Sequence, residues 1–503
     1  MRNLIDRVPY KYWVATVFTF GLFMTLMDST VVNVAIPDLS REFNARTSAV
    51  EWTVTGYLLS LAVCIPAAGF LSDRFGTKRL MLGSIGVFVA ASALCGTAGS
   101  LEQLVVFRLL QGVGGGVMTP VGTAMLGRAF PGAERAKASA IVSVPVMLAP
   151  MIGPVIGGYL VEYVSWRWIF FVNVPVGIVG LLIGLKTLEE HREAYAAKGF
   201  DVWGFITGSA SAALVLYALS QAATEGWTSG VVLGCGLGGL ALGVVFVLIE
   251  TKFWPPLIDM SLFKQHLFTI GNTSLVMTFA VSTGFLFVLT LFLQELQGRS
   301  PLEAGLIQAP SAISSAIFMP IAGRLYPRIG AKKMLMIGAP LGILAYVPFL
   351  FVQMDTPAWV TAVILLGRGA PFALVMIASQ TIIYGPLDSS KQGPASSAYN
   401  MVRQVAASFG VALVATVQIA RMNAHLPSNI PTSQLTDPTN PIVRKASEAG
   451  YHDVFILIVL LSALPFVAAL MLKGHVADAA LQTRTEQPDA DRAAPTGVPA
   501  LGE

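Results

Sequence analysis

Charged residues are scarce in this sequence. Of its 503 residues, 12% are charged and 54% are hydrophobic, and the mean hydropathy is +0.69. Soluble domains carry about 25% charged residues. The composition therefore excludes a soluble globular protein and indicates an integral membrane protein. The small net charge of +4 gives no reason to expect a nucleic-acid partner.

The sequence also has few residues suited to redox, metal or catalytic chemistry. Cys64, Cys95 and Cys235 lie within apolar runs, in no pairing pattern and at no metal-ligand spacing, so we interpret them as small apolar residues. No HExxH motif, P-loop, nucleophile elbow or pair of carboxylates stands in an outward-facing loop. We therefore expect neither an enzyme nor a bound metal or cofactor.

Long apolar runs dominate the chain. About fourteen windows reach the roughly 20 residues that a helix needs to cross a bilayer. Because unpaired backbone groups are costly in lipid, these windows predict helices and an all-α membrane protein. The first run is too long for the core of a signal peptide, which is roughly 7–15 residues. The windows lie near residues 13–36, 51–71, 80–99, 104–127, 139–161, 168–186, 203–223, 231–250, 268–293, 303–323, 334–353, 358–384, 395–420 and 454–472.

A repeated basic turn predicts two related halves. The segment GFLSDRFGTKRL lies between two apolar runs, and AGRLYPRIGAKKM (Ala322 to Met334) aligns without gaps on Ala68 to Leu80. We therefore predict two pseudo-symmetric six-helix bundles plus two inserted helices. The predicted divisions are residues 1–186 for the N-terminal bundle, 187–202 for a cytoplasmic linker, 203–250 for the inserted helices, 251–267 for a second cytoplasmic linker, 268–473 for the C-terminal bundle and 474–503 for a disordered cytoplasmic tail.

The lysines and arginines predict the orientation. If the amino terminus is cytoplasmic, most of them fall on inner segments and both basic turns face the cytoplasm. We therefore expect a multi-pass protein of the cell (inner) membrane with both termini cytoplasmic. The charged segment between Lys186 and Asp201 is either a short amphipathic helix on that surface or a plain linker.

Ionisable side chains inside apolar runs mark functional sites by default. Asp28 lies in the first run, about 12 Å from its outer end, and Arg108 lies near the outer end of the fourth run, so their depths are comparable. Two interpretations stay open. The residues form either a static buried pair that fixes packing, or a proton-titrating carboxylate beside a cation.

Other polar residues within the runs are candidates for a central substrate cavity. Arg403 has no acidic residue in its run, which offers Asn400 and Gln404 instead. The alternative is that these groups only hydrogen-bond neighbouring helices. The candidate cavity residues are Asn33, Gln111, Arg368, Asn400, Arg403 and Gln404.

The fifth run is rich in proline and glycine. Prolines remove backbone hydrogen bonds and bend a helix, while glycines allow a neighbour to approach closely. The run is therefore a candidate hinge. Its residues in question are Pro150, Gly153, Pro154, Gly157 and Gly158.

These motifs together resemble the major facilitator superfamily, and within it the fourteen-span drug:proton antiporters of the EmrB/QacA type. The turn GFLSDRFGTKRL is similar to the family's loop between the second and third spans. RLLQGVGGG resembles its fourth-span motif, APMIGPVIGG its fifth-span exporter motif, and MDSTVVNVAIP its first-span signature. Three further segments fit the same subgroup, namely WRWIFFVNVP, LQELQGRSPLEAGL and SSAYNMVRQ.

The resemblance implies a role for each motif. Asp28 would carry the coupling proton, Arg108 would modulate it, and the glycines and prolines of the fifth span would favour export. The first basic turn would latch a cytoplasmic gate, through Gly69, Asp73, Arg74, Gly76, Lys78 and Arg79. Two departures matter: no acidic residue stands between Ala395 and Ala420, so a preference for dicationic drugs is not implied, and Pro327 replaces the aspartate of the second turn, which predicts a weaker latch there.

The expected function is therefore export of a lipophilic compound in exchange for protons, by rocking of two bundles. Alternatives are export of an endogenous lipid or metabolite, proton-coupled uptake, and, from another class, a receptor or channel. The expected partners are protons, a lipophilic small molecule and membrane lipid. The sequence leaves open the substrate and the participation of a periplasmic adaptor and an outer-membrane channel.

Overall fold

The computed structural model of the protein describes residues 8–45, 47–50, 52–130, 134–192, 201–252, 257–385, 387, 392–426 and 441–472. Within these residues the regular structure is helical and contains no strand. The α-helices are α1 Tyr10–Glu42, α2 Thr47–Val50, α3 Trp52–Cys64, α4 Ala68–Phe75, α5 Thr77–Gly96, α6 Leu101–Ala129, α7 Glu134–Tyr163, α8 Trp168–Phe171, α9 Asn173–Thr187, α10 Val202–Glu225, α11 Gly230–Glu250, α12 His266–Leu291, α13 Pro301–Tyr346, α14 Ala358–Leu366, α15 Gly369–Tyr384, α16 Gln392–His425, α17 Pro441–Leu461 and α18 Leu464–Leu470.

The helices follow the apolar windows closely. Eleven helical segments of the described chain are long and apolar enough to cross a membrane. Helix α13 covers two predicted windows. A straight helix of its 46 residues would measure about 69 Å, more than twice the thickness of the hydrocarbon core, so α13 corresponds to two spans. The second window is divided between α3 and α4, and the sixth between α8 and α9.

Both basic turns are built on a glycine with positive φ. Gly76 ends α4 and precedes α5 with φ 93° and ψ 145°, and Gly330 interrupts α13 with φ 75° and ψ 165°. A residue with a β-carbon rarely adopts this conformation. The two glycines occupy the same place in the aligned repeat, so the sequence repeat is also a repeat of backbone geometry. The side of the bundle that carries these turns, at residues 74–79 and 328–333, is called the basic face below.

Side-chain caps fix where the functional helices begin. The Ser100 hydroxyl accepts a hydrogen bond from the backbone N–H of Gln103 at the start of α6. Ser300 and Glu303 form a reciprocal capping box at the start of α13. Such caps satisfy N–H groups that the first turn leaves unpaired. The cap on α6 places Arg108 two turns into the helix.

The two halves of the chain pack against each other through several helices. Helix α7 lies against α1 of its own half and along α13 of the other. Helix α6 meets α16, where the Ser396 hydroxyl donates a hydrogen bond to the backbone oxygen of Pro120 over 2.9 Å. This contact lies toward the basic face, since α6 ends and α16 begins there.

The inserted helices α10 and α11 form a hairpin that touches both halves. The Ser209 hydroxyl of α10 donates to the backbone oxygen of Val63 over 2.7 Å. At the other end of the hairpin, Trp227 Nε1 donates to the Thr416 hydroxyl of α16 over 2.8 Å. The hairpin therefore bridges α3 and α16.

The segment after α9 is not helical where the structure describes it. Residues 188–192 have no regular structure, and the rest of the predicted amphipathic segment lies outside the described residues. The predicted disordered tail also lies outside them. The part that is seen crosses the basic face.

Candidate proton and substrate sites

Asp28 and Arg108 form a buried ion pair. Both side chains are 0% exposed, and Arg108 Nη1 donates to Asp28 Oδ2. Arg108 Nε also donates to the backbone oxygen of Thr53 over 2.8 Å. The pair thus joins α1 to α6, and the arginine extends the connection to α3. A charge-assisted contact of this kind is strong in a dry environment.

Two amides complete the surroundings of the carboxylate. Gln111 Nε2 and Asn173 Nδ2 donate to Asp28 Oδ1 over 3.0 and 2.9 Å, respectively. Both amides also donate to the Ser92 hydroxyl, over 3.2 and 3.1 Å. Side chains of α6 and α9 therefore meet at the carboxylate of α1, and Ser92 of α5 joins the network through the two amides.

Aromatic rings cover the arginine and leave unused polar atoms beside it. The guanidinium carbon of Arg108 lies 4.1 Å from the centre of the Tyr57 ring and 5.8 Å from that of Phe170. Arg108 Nη2, the Tyr57 hydroxyl and Asn173 Oδ1 are buried without a hydrogen-bond partner. Groups left unsatisfied in a buried network provide alternative partners when the network rearranges.

Glycines in α6 let α3 come close enough to receive Arg108. A β-carbon on Gly112 would lie 2.6 Å from the backbone oxygen of Tyr57, and one on Gly116 would collide with the backbone oxygen of Leu61. On the other side of α6, a β-carbon on Gly114 would lie 2.7 Å from the backbone nitrogen of Phe88. The glycine run therefore explains the position of the arginine between α3 and α5.

The glycine-rich segment of α7 packs on α1 immediately after Asp28. A β-carbon on Gly153 would collide with the Thr30 hydroxyl, and one on Gly157 would lie 3.3 Å from the backbone oxygen of Val31. Gly158 has open space around its α-carbon. Helix α7 continues through the positions of Pro150 and Pro154, whose side chains lie outside the described residues. The predicted hinge function stays a prediction, but its glycines touch the helix that carries Asp28.

The first basic turn is held by a residue that sequence reasoning did not identify. The Glu190 carboxylate accepts hydrogen bonds from the backbone N–H groups of Lys78 and Arg79 over 3.1 and 3.3 Å. It also lies 3.6 Å from Arg79 Nε. Carboxylates at a helix N-terminus satisfy free N–H groups and face the positive end of the helix dipole. The sequence feature that could have identified Glu190 was the acidic segment LEE, which was predicted on the same side of the membrane as the basic turn.

The other predicted gate residues are less constrained. Gly69 is buried, and Arg74 is exposed, with its guanidinium carbon 6.0 Å from the ring centres of Phe70 and Phe75. The Lys78 ammonium donates to the backbone oxygen of Leu185 over 3.1 Å. The Asp73 side chain, predicted to latch the gate, lies outside the described residues.

The predicted cavity residues fall into separate groups. Gln111 belongs to the Asp28 network. Asn400 is buried and accepts a hydrogen bond from Arg403 Nη2 over 3.2 Å, while Arg403 and Gln404 are half-buried. Arg368 is buried elsewhere, among hydroxyl groups. No hydrogen bond joins these three groups in the described chain, and the Asn33 side chain lies outside it.

A bundle of apolar spanning helices around a buried acid and arginine defines a multi-pass membrane transport protein. The chain belongs to the Major Facilitator Superfamily, whose sequence profile matches residues 18–411. The all-α membrane fold of this superfamily, which the sequence predicted, is confirmed.

Known proteins similar to this chain are transporters. It is 30% identical over 421 residues to the uncharacterized MFS-type transporter YhcA of Bacillus subtilis (strain 168), covering 84% of this chain and 78% of YhcA. It is 32% identical over 409 residues to the multidrug resistance protein B homolog of Mycobacterium tuberculosis (strain ATCC 25618 / H37Rv), covering 80% of this chain and 75% of that protein. The structure of the proton:xylose symporter XylE bound to 6-bromo-6-deoxy-D-glucose matches with a TM-score of 0.59 at 14% identity, covering 90% of this chain and 94% of that one. At that identity the structural likeness shows the fold alone.

Proposed function

We propose that the protein is a proton-coupled antiporter that exports lipophilic drugs or other amphipathic small molecules by alternating access. The observation that carries the proposal is the Asp28 carboxylate, which is fully buried and receives hydrogen bonds from Arg108, Gln111 and Asn173. A membrane-embedded carboxylate that changes its protonation state alters the packing of every helix bonded to it. The relative from Mycobacterium tuberculosis that is named a multidrug resistance protein B homolog supports the choice of substrate class.

Protonation of Asp28 has a geometric consequence. N–H donors occupy both of its oxygens, and a protonated carboxyl group has one acceptor site fewer and a donor of its own. Three N–H donors occupy three of the roughly four acceptor sites of the carboxylate, so a proton can bind the remaining site on Oδ2. Protonation then removes the negative charge that strengthens these bonds, and the charge of Arg108 loses its partner. The unused Arg108 Nη2 and Tyr57 hydroxyl give the rearranged groups new contacts. The proton thus loosens α1 from α6.

Helix α7 transmits this change to the other half. Its Gly153 and Gly157 touch α1 beside Asp28, and α7 also lies along α13. A shift of α1 therefore moves the contact between the halves. Elements with two packed arrangements convert small local shifts into domain rotation.

The orientation is part of the proposal. Both termini lie in the cytoplasm and the protein lies in the inner membrane, so the basic face is cytoplasmic. The contact of Ser396 with Pro120 then joins the halves toward that side. A proton arriving from outside favours release of the substrate, and deprotonation toward the cytoplasm restores binding. One charge moving through 100 mV supplies about 2.3 kcal/mol.

Inside-out membrane vesicles with an acidified interior test the proposal. We expect them to accumulate substrate from a panel of a cationic dye, a neutral antibiotic and a fatty acid, and to lose the accumulation with a protonophore. Asp28→Asn keeps the size of the side chain and removes the titratable group, so it should abolish accumulation. Asp38→Asn is the matched control, because Asp38 is on the same helix, solvent-accessible and paired with Arg41. Undiminished accumulation in Asp28→Asn would refute the proposal.

The same assay separates the alternatives. An exporter of an endogenous lipid or metabolite would accumulate that compound and ignore the drugs of the panel. A proton-coupled uptake carrier would instead move its substrate out of these vesicles together with protons.

A further inference from the structure

The C-terminal half contains a second arginine site that repeats the first. The shift that aligns Ala68 with Ala322 is 254 residues (322 minus 68). The same shift pairs three surroundings of Arg108 with three surroundings of Arg368: Asp28 with Ser282, Tyr57 with Ser311, and Ser92 with Tyr346. The arginines themselves do not share this shift: it places Ala362 opposite Arg108, and Arg368 lies six residues further along the chain, between α14 and α15. The surroundings of the two arginines, but not the arginines, therefore occupy equivalent positions in the two halves.

Arg368 is bonded to all three of these counterparts. Its Nη2 donates to the Ser282 hydroxyl over 3.0 Å and to the Tyr346 hydroxyl over 3.1 Å, and its Nη1 donates to the Ser311 hydroxyl over 3.3 Å. The guanidinium carbon also lies 4.4 Å from the centre of the Phe285 ring. The arginine is thus held in place from α12 and from both parts of α13.

What the second site lacks is the carboxylate. Ser282 stands where the first half has Asp28, and Arg368 forms no ion pair within the described chain although it is only 6% exposed. A buried cation without a counter-charge is costly and marks a functional position in a membrane protein. The three hydroxyls accept from Arg368, and none of them donates to another described residue. Each therefore still has a proton to offer to an anion.

A cavity adjoins this site. Its volume is about 50 Å³, and Arg368 and Tyr346 form part of its wall. A cavity that holds one water needs about 10–15 Å³ on this scale, so there is room for a carboxylate group. The rest of the wall is largely apolar and includes Val281, Phe372 and Val375.

We propose that Arg368 and the Tyr346 hydroxyl, which line the cavity, bind the carboxylate of an amphipathic organic acid whose apolar part follows the cavity wall, while the Ser282 hydroxyl, which is not part of that wall, positions the guanidinium. Arginine presents paired donors that match a carboxylate. The assignment rests on the proposed transport function, for which it names a substrate class. According to this proposal, Asp28 of the first half is the carboxylate that binds the proton, whereas Arg368 of the second half binds the carboxylate of the substrate.

Equilibrium binding of radiolabelled dodecanoate to the purified full-length protein in nanodiscs tests the site without any gradient. We expect Arg368→Gln to weaken dodecanoate binding at least tenfold and Arg368→Lys to weaken it less. Arg324→Gln, an exposed arginine of the same half, is the control and should bind as the wild type does. Ser282→Asp supplies the missing carboxylate internally, so it should abolish dodecanoate binding while the thermal unfolding midpoint stays equal or rises.

Three outcomes would overturn the assignment. One is wild-type affinity in both Arg368→Gln and Ser282→Asp. Another is equal binding of dodecanol, which lacks the charge. A third is displacement of dodecanoate by millimolar chloride with no dependence on chain length, which would indicate a simple anion site. Because binding is measured without transport, an Arg368-dependent site in a protein that fails the vesicle assay would reject the proposed function and retain the site.

Discussion

The two buried arginines show how one arrangement in two related halves can be used differently. Arg108 is paired with Asp28 and two amides, whereas Arg368 is surrounded by hydroxyls at the corresponding positions. The first site is neutral as a pair, and the second has a net positive charge. The difference in charge comes from the exchange of Asp28 for Ser282. A carboxylate paired with an arginine suits a site that exchanges a proton. An arginine without a carboxylate suits a site that binds an anionic ligand.

Removing each arginine is the strongest test of this comparison. Arg108→Gln leaves a buried carboxylate unpaired, and breaking a buried pair in this way costs about 3–5 kcal/mol. Arg368→Gln removes a cation that has no ionic partner, so we expect little loss of stability or a gain. The thermal unfolding midpoints of the two purified variants measure the contrast. Equal destabilisation would contradict it.

A double variant sharpens the first half of that test. Asp28→Asn combined with Arg108→Gln leaves no buried charge, so most of the stability lost in Arg108→Gln should return. A double variant as unstable as Arg108→Gln would mean that shape, and not charge, decides the stability of the site.

A smaller effect is expected where α7 touches α1. Gly153→Ala places a methyl group against the Thr30 hydroxyl, and overpacking of this kind costs about 1–3 kcal/mol. We expect slower transport in vesicles, because α7 is forced away from the helix that carries Asp28. Gly158→Ala is the matched control, since its methyl group meets open space. Equal transport rates in the two variants would show that the contact of Gly153 with α1 does not affect the transport cycle.

The smallest effect concerns the capped basic turn. Glu190→Ala removes the acceptor for two N–H groups of α5, a loss of about 0.5–2 kcal/mol for a helix cap. Amide hydrogen exchange in the first turn of α5 should therefore become faster. Glu189→Ala, one residue away, should leave that exchange unchanged. Faster exchange in both variants would point to a general effect of the linker.

The helices could be predicted well from the sequence because burial in lipid leaves a signal in every window. Their ends were harder to place. The last window was predicted to begin near 454, and that boundary was wrong, since α17 begins at Pro441. Its first turns are polar, yet Arg444 Nη2 donates to the backbone oxygen of Leu296 and Glu448 accepts from the backbone N–H of Met354. These partners come from distant parts of the chain, so hydropathy cannot reveal them.

The candidate site was predictable only in its charged members. Asp28 and Arg108 were noticeable because charges are rare in apolar runs, and the structure brings them together. Ser92 gave no signal, because single neutral polar residues are common in spanning helices. Asn173 lies in the segment WRWIFFVNVP that carries part of the family resemblance, but the sequence predicted no role for it. Gln111 was assigned to a substrate cavity, and its bonds to Asp28 depend on the crossing of α1 and α6. Glu190 was hidden in a segment whose charge alone suggested only a surface position.

The most direct test of the central claim is proton movement on addition of substrate. We reconstitute the purified protein in liposomes that contain a trapped pH indicator and add an accepted compound. The account predicts a change of the internal pH, which should disappear in Asp28→Asn and persist in Asp38→Asn. Substrate-dependent proton movement of normal size in Asp28→Asn would show that the coupling group lies elsewhere and would contradict the account.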